Sequence, residues 1–315
     1  MARLVEEKLG EWGLRVRRQD VDGRRFNLLA TTDGPPRVLL CTHLDVVLPL
    51  VPFAEKDGVL YGRGVCDAKG AMSAMLVAAR RLLESGERRF GLLFVVGEER
   101  DSDGARRAAR LDIGSRAVVI GEPTEGKLVS AQKGTLVFRL RMSGVAGHSA
   151  VPESGVSAVH ALVRLLDGWL RTDWGQDPRL GETTLNLGVL QGGTGSNVIA
   201  AEATVEGIFR IAISVESVLD RLRSTLPDGA FFEVISSSEP LRLSTVEGFA
   251  QTVVSFGSDA PYLRPLGDVL MIGPGSIRHA HREDEQVRVE ELEQAARDYE
   301  RLVRTLNQRW DLEAG

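Results

Sequence analysis

Cysteine is nearly absent from this chain: Cys41 and Cys66 are the two in 315 residues. Their placement gives neither a disulfide framework nor a thiolate zinc spacing, and each reads as a small buried hydrophobe. Aromatic residues make up 5%, and the five histidines are His43, His148, His160, His279 and His281. No apolar run approaches the roughly 20 residues that span a bilayer. The N-terminus lacks the apolar core of a secretory signal. No loop ending in Gly-Lys-Ser or Gly-Lys-Thr is present, which disfavours a phosphate-cradling nucleotide or sugar hydrolase. The formal charge of −5 argues against nucleic-acid or anionic-membrane partners. These absences fit a reducing cytoplasm.

What is present is an ordinary globular composition, 43% hydrophobic and 26% charged, in a chain long enough for two domains. Arg37-Val-Leu-Leu-Cys-Thr-His43-Leu-Asp45 reads as a buried strand whose end carries a histidine and an acid two residues apart. Phe90 to Val96 and Ala117 to Ile120 read as further buried strands, with helices expected over 68–84 and 103–111. That alternation predicts a parallel α/β sheet. Residues 53–64 read as a Gly-punctuated connection. Near Gly134 the texture changes. Residues 136–142 alternate as a half-exposed strand, strands are expected over 185–190, 203–213 and 230–236, and helices over 155–172 and 215–226. After residue 243 the first texture returns, with a helix over 246–256, a strand over 269–272 and a final helix over 287–307. The expected fold is α/β, a mixed, largely parallel sheet flanked by helices. It is discontinuous over 1–134 and 244–315, with an α+β domain inserted over 135–243.

Polar residues gather where strands or Gly-rich turns end: His43 and Asp45, Asp67, Glu98 and Glu99, Glu122 and His281. Taken singly, each has an ordinary reading. Asp67 resembles a helix N-cap, and Glu98-Glu99-Arg100 a charged surface turn. Together, two histidines and several carboxylates suit zinc or a similar divalent metal. Five ligands exceed what one catalytic zinc takes while keeping a water, so two metals sharing a carboxylate fit better. Neighbouring side chains diverge, so one of Glu98 and Glu99 can hold metal while the other takes a proton.

The motifs Thr-His-Leu-Asp, Gly-Arg-Gly-Val-Cys-Asp-Ala-Lys-Gly, Gly-Glu-Glu, Gly-Glu-Pro-Thr, Gly-His-Ser-Ala and Gly-Pro-Gly-Ser-Ile-Arg-His-Ala-His-Arg-Glu-Asp-Glu occur in that order. As a set the chain resembles the acetylornithine deacetylase, succinyl-diaminopimelate desuccinylase and carboxypeptidase family of di-zinc amidohydrolases. The resemblance is closest to acetylornithine deacetylase. It implies a zinc-peptidase-like catalytic domain interrupted by a lid and dimerisation domain. It further implies two divalent ions, zinc or alternatively cobalt. His43 and Glu122 would hold one, Glu99 and His281 the other, with Asp67 bridging. Asp45 would orient His43, and Glu98 would activate a metal-bridging water. The family pattern selects His281 over His279. His148 resembles the lid histidine that stabilises the oxyanion, Asn197 and Arg210 a substrate-binding pair, and Gly275 and Ser276 a pocket lining. Val198-Ile-Ala-Ala201 departs from the family's Val-Pro-Asp-like step.

The implied reaction removes an acyl group from an N-acyl amino acid, N-acetylornithine first, in a homodimer formed through the lid. Within the family the alternatives are an N-acetyl-lysine or carrier-linked lysine deacylase, a desuccinylase and a carboxypeptidase. A different class is a catalytically idle metal-binding dimerisation protein. An intact Glu98 beside Glu99 argues against it, since a retired site has no use for a base.

Overall fold

The computed structural model describes residues 1–314. Two compact units emerge: one holds Met1–Ser130, Leu243–Thr252 and the chain from Ser258 onward, the other Ala131–Arg242 and Val253–Gly257. Each has its own apolar core.

In the first unit, six strands stand in the order Arg15–Asp20, Phe26–Thr31, Phe90–Val95, Val38–His43, Ala117–Ile120 and Asp268–Met271. The first two pairings are antiparallel and the remaining three parallel, so the expected mixed α/β fold is the one adopted. The apolar run Val38–Cys41 becomes the fully buried strand Val38–His43, with parallel neighbours on both edges. Register places His43 against Val95, and Cys41 and Met271 each against Ile120. The turns after these parallel strands therefore leave one edge of the sheet, where open α/β sheets bind ligands.

The helix Lys69–Glu84 buries Ala71, Met75, Ala78, Ala79 and Leu82, a single stripe at helical spacing. Gly86 follows it with φ +82°, the left-handed exit that ends many helices. The stripe packs against the long terminal helix Val289–Ala314, whose Tyr299 hydroxyl donates to the Ile272 carbonyl at 3.0 Å. Among the described residues, no helix is long and apolar enough to cross a membrane.

Two local expectations are corrected. Residues 246–256 form no helix; Gln251–Val254 is a strand. Gly248 sits at φ +85°, which breaks helical continuation, and Thr252-Val-Val254 is β-branched and prefers extended backbone. Residues 53–64 are more than a connection, because Ala54–Lys56 and Val59–Tyr61 pair as an antiparallel hairpin. Its tip, Asp57-Gly58, has φ +52° and +72°, the Asp-Gly signature of a tight hairpin turn.

The second unit is a four-stranded antiparallel sheet in the order Thr184–Gly192, Glu202–Ile211, Gly134–Ser143 and Phe231–Ser238. Alternate residues of Gly134–Ser143 are buried, the period of a strand with one covered face. The helices Ala158–Arg171 and Val215–Thr225 start at Ser157 and Ser214, whose side chains accept from His160 N and Ser217 N. This is a side-chain N-cap at each start. The core centres on Phe138, whose ring lies 5.4–5.7 Å from those of Trp169, Phe209 and Phe232.

Candidate metal centre

The centre grows from the strand Val38–His43. His43 is buried at its end, and its Nδ1 contacts the Asp45 carbonyl oxygen at 3.1 Å. The Asp45 carboxylate lies further off, at 3.7 Å. At that distance it still faces His43, and the two side chains favour each other's charged forms. The same carboxylate also accepts from the backbone N–H groups of Gly97 and Glu99 at 2.9 and 3.2 Å. Asp45 thus ties the turn carrying Glu98 and Glu99 to the strand end carrying His43.

With Nδ1 engaged there, His43 Nε2 faces Asp67 Oδ1 at 3.0 Å. The other oxygen of Asp67 lies 3.4 Å from His281 Nε2, which is 3.0 Å from Glu99 Oε2. One aspartate therefore faces two histidines, one with each oxygen. His43, Asp67 and Glu122 form one group, and Asp67, Glu99 and His281 another; within each, ligand atoms lie within 4.8 Å of one another. Glu98 stands beside both groups, interacting electrostatically with His43, Asp67 and Glu99. His279 lies away from both, its Nδ1 3.5 Å from Gln286 Nε2.

Burial pushes Glu98 up to about 8; His43 opposes this, and Asp259, Asp67 and Glu99 reinforce it. Glu122 is driven well above the usual carboxylate range by burial first, then by Glu98 and Asp67, against the pull of His43. Burial also works against ionised Asp67, but hydrogen bonds from His281 and His43 outweigh it and hold its pKa well below normal. Contacts with Asp67 and Glu99 raise His281 to about 10. This is an acid-rich pocket in which two histidines compensate four carboxylates incompletely, the electrostatic setting a cation relieves. The donor chemistry fits as well. Ligands about 2.0–2.2 Å from a tetrahedral ion sit roughly 3.3–3.6 Å apart, close to the 3.0–3.4 Å separations across Asp67.

The remaining expected residues divide between the units. Gly275 and Ser276 lie in the first unit. Ser276 Oγ donates to Glu125 at 2.9 Å, and Gly275 has φ +74° with room for a Cβ taken by Cys66 Sγ, 2.6 Å away. His148, Asn197 and Arg210 lie in the second unit. There His148 bridges to Val198, and Ser149 N donates to the Asn197 carbonyl at 3.0 Å, so these two exposed residues are neighbours. Ala150 N donates to His148 Nδ1 at 3.1 Å. Arg210 is half-buried on the strand Glu202–Ile211, in register with Thr135 and Thr184.

Three buried charged residues at the site were given no role from sequence. Asp259 is 3% exposed; burial pushes it up to about 6, against a Ser102 hydrogen bond and nearby His43. Arg63 and Glu285 form an ion pair at 2.7 Å. Both stand inside recognised motifs, yet 222 residues separate them, and no local pattern announces that pairing.

Residues 39–305 match the model of peptidase family M20/M25/M40. The chain belongs to this family. A peptidase M20 domain-containing protein of Schizosaccharomyces pombe is 35% identical over 274 residues, covering 85% of this chain and 68% of that protein. A probable carboxypeptidase of Aspergillus terreus is 36% identical over 325 aligned residues, covering 90% and 74%. In fold, the M20 chain is similar to a tripeptidase of Staphylococcus aureus, with a TM-score of 0.79, 20% identity and coverage of 96% and 92%. It is also similar to an M20 family metallo-carboxypeptidase of Sulfolobus solfataricus, with a TM-score of 0.74, 14% identity and coverage of 96% and 92%.

M20 members generally bind two divalent metals, and this M20 chain is a metal-dependent amidohydrolase. Metal should also hold its first unit together. A site filled at 100 times its Kd adds about 2.7 kcal/mol, roughly 5–11 °C of Tm at about 2–4 °C per kcal/mol for a unit of this size. Calorimetry of metal-loaded and chelator-stripped protein should show a drop of that order. An unchanged Tm would count against cation binding in this acid pocket.

Proposed function

We propose that the chain hydrolyses the amide bond of an N-acyl amino acid that keeps a free α-carboxylate, with N-acetylornithine the first candidate. The reading is carried by Asp67 shared between His43 and His281, with a proton-accepting Glu98 beside it. His43 and Glu122 would hold one ion, Glu99 and His281 the other, and Asp67 would belong to both. Zinc is favoured by the nitrogen and oxygen ligands, with cobalt the alternative. When bound, the ions supply Lewis acidity toward the carbonyl oxygen and acidify water at neutral pH.

The chain's own residues do the rest. Glu98 takes a proton from the attacking water on a carboxylate oxygen and returns it to the departing amine nitrogen. Asp45 keeps that turn in place through the Gly97 and Glu99 amides. His148 accepts from the Ala150 amide through Nδ1, which leaves Nε2 as the atom that would donate to an oxyanion. Asn197 and Arg210 would be the substrate-binding pair, Arg210 gripping the α-carboxylate through its planar fork, and Gly275 and Ser276 would line the pocket of the first unit. In this reading the enzyme works in the cytoplasm as a homodimer joined through its second unit, without nucleic-acid or membrane partners.

A carboxypeptidase is the second reading, favoured by the relatives named probable carboxypeptidase. It uses the same carboxylate grip on a peptide's last residue. A screen of N-acetylornithine, N-acetyl-lysine, N-succinyl-diaminopimelate and a dipeptide, with zinc or cobalt and a chelator control, separates the two. Preferred turnover of an N-acyl amino acid supports the first, and dipeptide preference the second. No turnover of any would sink both. On the preferred substrate, Arg210→Ala should raise KM about 10-fold or more, the worth of a charged hydrogen bond of roughly 1.5–3 kcal/mol. Its kcat should move little, since the carboxylate is held equally before and during reaction. An unchanged KM would remove Arg210 from the pocket.

A further inference from the structure

Arg63 and Glu285 are the most deeply buried ion pair flanking the two clusters, with side chains 2% and 0% exposed. A buried pair of this kind is a weak stabilising device, because the desolvation of both charges offsets much of their attraction. Its contacts are unusually directed. Glu285 Oε1 accepts from the backbone N–H groups of Gly64, Cys66 and Asp67 at 2.9, 3.1 and 3.1 Å. Three donors on one oxygen fix the turn that delivers Asp67. Arg63 donates to Glu285 Oε2 through Nη1 at 2.7 Å, and to the carbonyls of Arg282 and Pro49 at 3.0 and 3.1 Å. Its Nη2 reaches the carbonyl of His281 at 3.5 Å.

His281 itself sits at φ +65°, a left-handed conformation that a non-glycine residue keeps only when its surroundings impose it. Strand pairing supports the same junction, since Gln286 stands opposite Tyr61 and Gly62 N donates to the Glu285 carbonyl at 3.0 Å. One ion pair thus joins the loop that carries Asp67 to the loop that carries His281. His43 ends one strand of the central sheet and Glu122 follows another, so the pair touches that cluster only through Asp67.

We propose that Arg63 and Glu285 are positioning residues that set the affinity of the Asp67–Glu99–His281 cluster for its cation through both Asp67 and His281, and reach the His43–Asp67–Glu122 cluster through Asp67 alone. The proposal rests on the ligand assignment made above. The test is a cobalt titration of metal-stripped protein, followed by calorimetry and visible absorption, for the unmodified chain, Glu285→Gln and Arg63→Lys. Glu285→Gln keeps an oxygen for the three amides but removes the charge that Arg63 binds, whereas Arg63→Lys keeps the charge and loses the fork. The unmodified chain should take two equivalents. In both variants the first equivalent should bind within about threefold of normal, and the second about 10–100-fold more weakly, the usual effect of removing a ligand's outer support. Binding of fewer than two equivalents by the unmodified chain would overturn the ligand assignment, and this proposal with it. Two equivalents in the unmodified chain, with both retained at full affinity or weakened alike in the variants, would overturn the positioning role alone. Failure of both variants to fold would make the pair a fold element and overturn it too.

Discussion

Glu98→Gln should lower kcat by about 10²–10⁴-fold, the usual contribution of a positioned general base, while two metal equivalents stay bound. The amide matches the carboxylate in size and places no new charge in the pocket, so it leaves the neighbouring ligands where they are. What it loses is the capacity to take a proton from water and return it to the leaving nitrogen. Burial raises Glu98 above the ordinary carboxylate range, which makes its ionised form a stronger base toward water. Steady-state kinetics beside metal analysis of the same sample reads both quantities. Full activity in the variant would remove Glu98 from the mechanism.

Asp67→Ala should be as severe by a different route, because it removes the one side chain that both clusters use. Glu99→Ala or Glu122→Ala each deletes a ligand from one cluster. Asp67→Ala leaves His43 with Glu122, and Glu99 with His281, as two incomplete pairs. Fewer than one tightly bound equivalent is expected. Metal polarisation contributes several kcal/mol to such reactions, so turnover should fall by about 10³-fold or more at 1.36 kcal/mol per decade. Calorimetric titration of the three variants distinguishes shared from separate ligands. Two retained equivalents in Asp67→Ala would show that the clusters do not share this residue.

How much of this was legible in the sequence follows from the range of the interactions. Val38–Cys41, Phe90–Val95 and Ala117–Ile120 are buried on both faces, so their strands appear as continuous apolar runs. Polar residues placed directly after such runs mark the site edge. Local competition was harder to weigh. The stretch 246–256 carries apolar residues at plausible helical intervals, but Gly248 and the β-branched 252–254 decide its backbone. The Asp57-Gly58 hairpin was announced by its dipeptide and overshadowed by the surrounding glycines. Long-range pairing was not legible. Neither Arg63 nor Glu285 reveals the other, and the link from the Asp45 carboxylate to the Gly97–Glu99 turn needs the sheet to bring them together. The His-x-Asp spacing does bring the acid beside the histidine, with the Asp45 carboxylate 3.7 Å from His43 Nδ1, but it does not foretell that the Asp45 carbonyl makes the closer contact at 3.1 Å.

The central claim is a two-cation centre that shares Asp67, with Asp45 outside the ligand set. A crystal grown with zinc and measured on both sides of the zinc absorption edge tests it most directly. The account predicts two anomalous peaks, one among His43, Asp67 and Glu122 and one among Asp67, Glu99 and His281, neither in contact with Asp45. A single peak, a peak bound directly by Asp45, or one that leaves His43 unligated would contradict it.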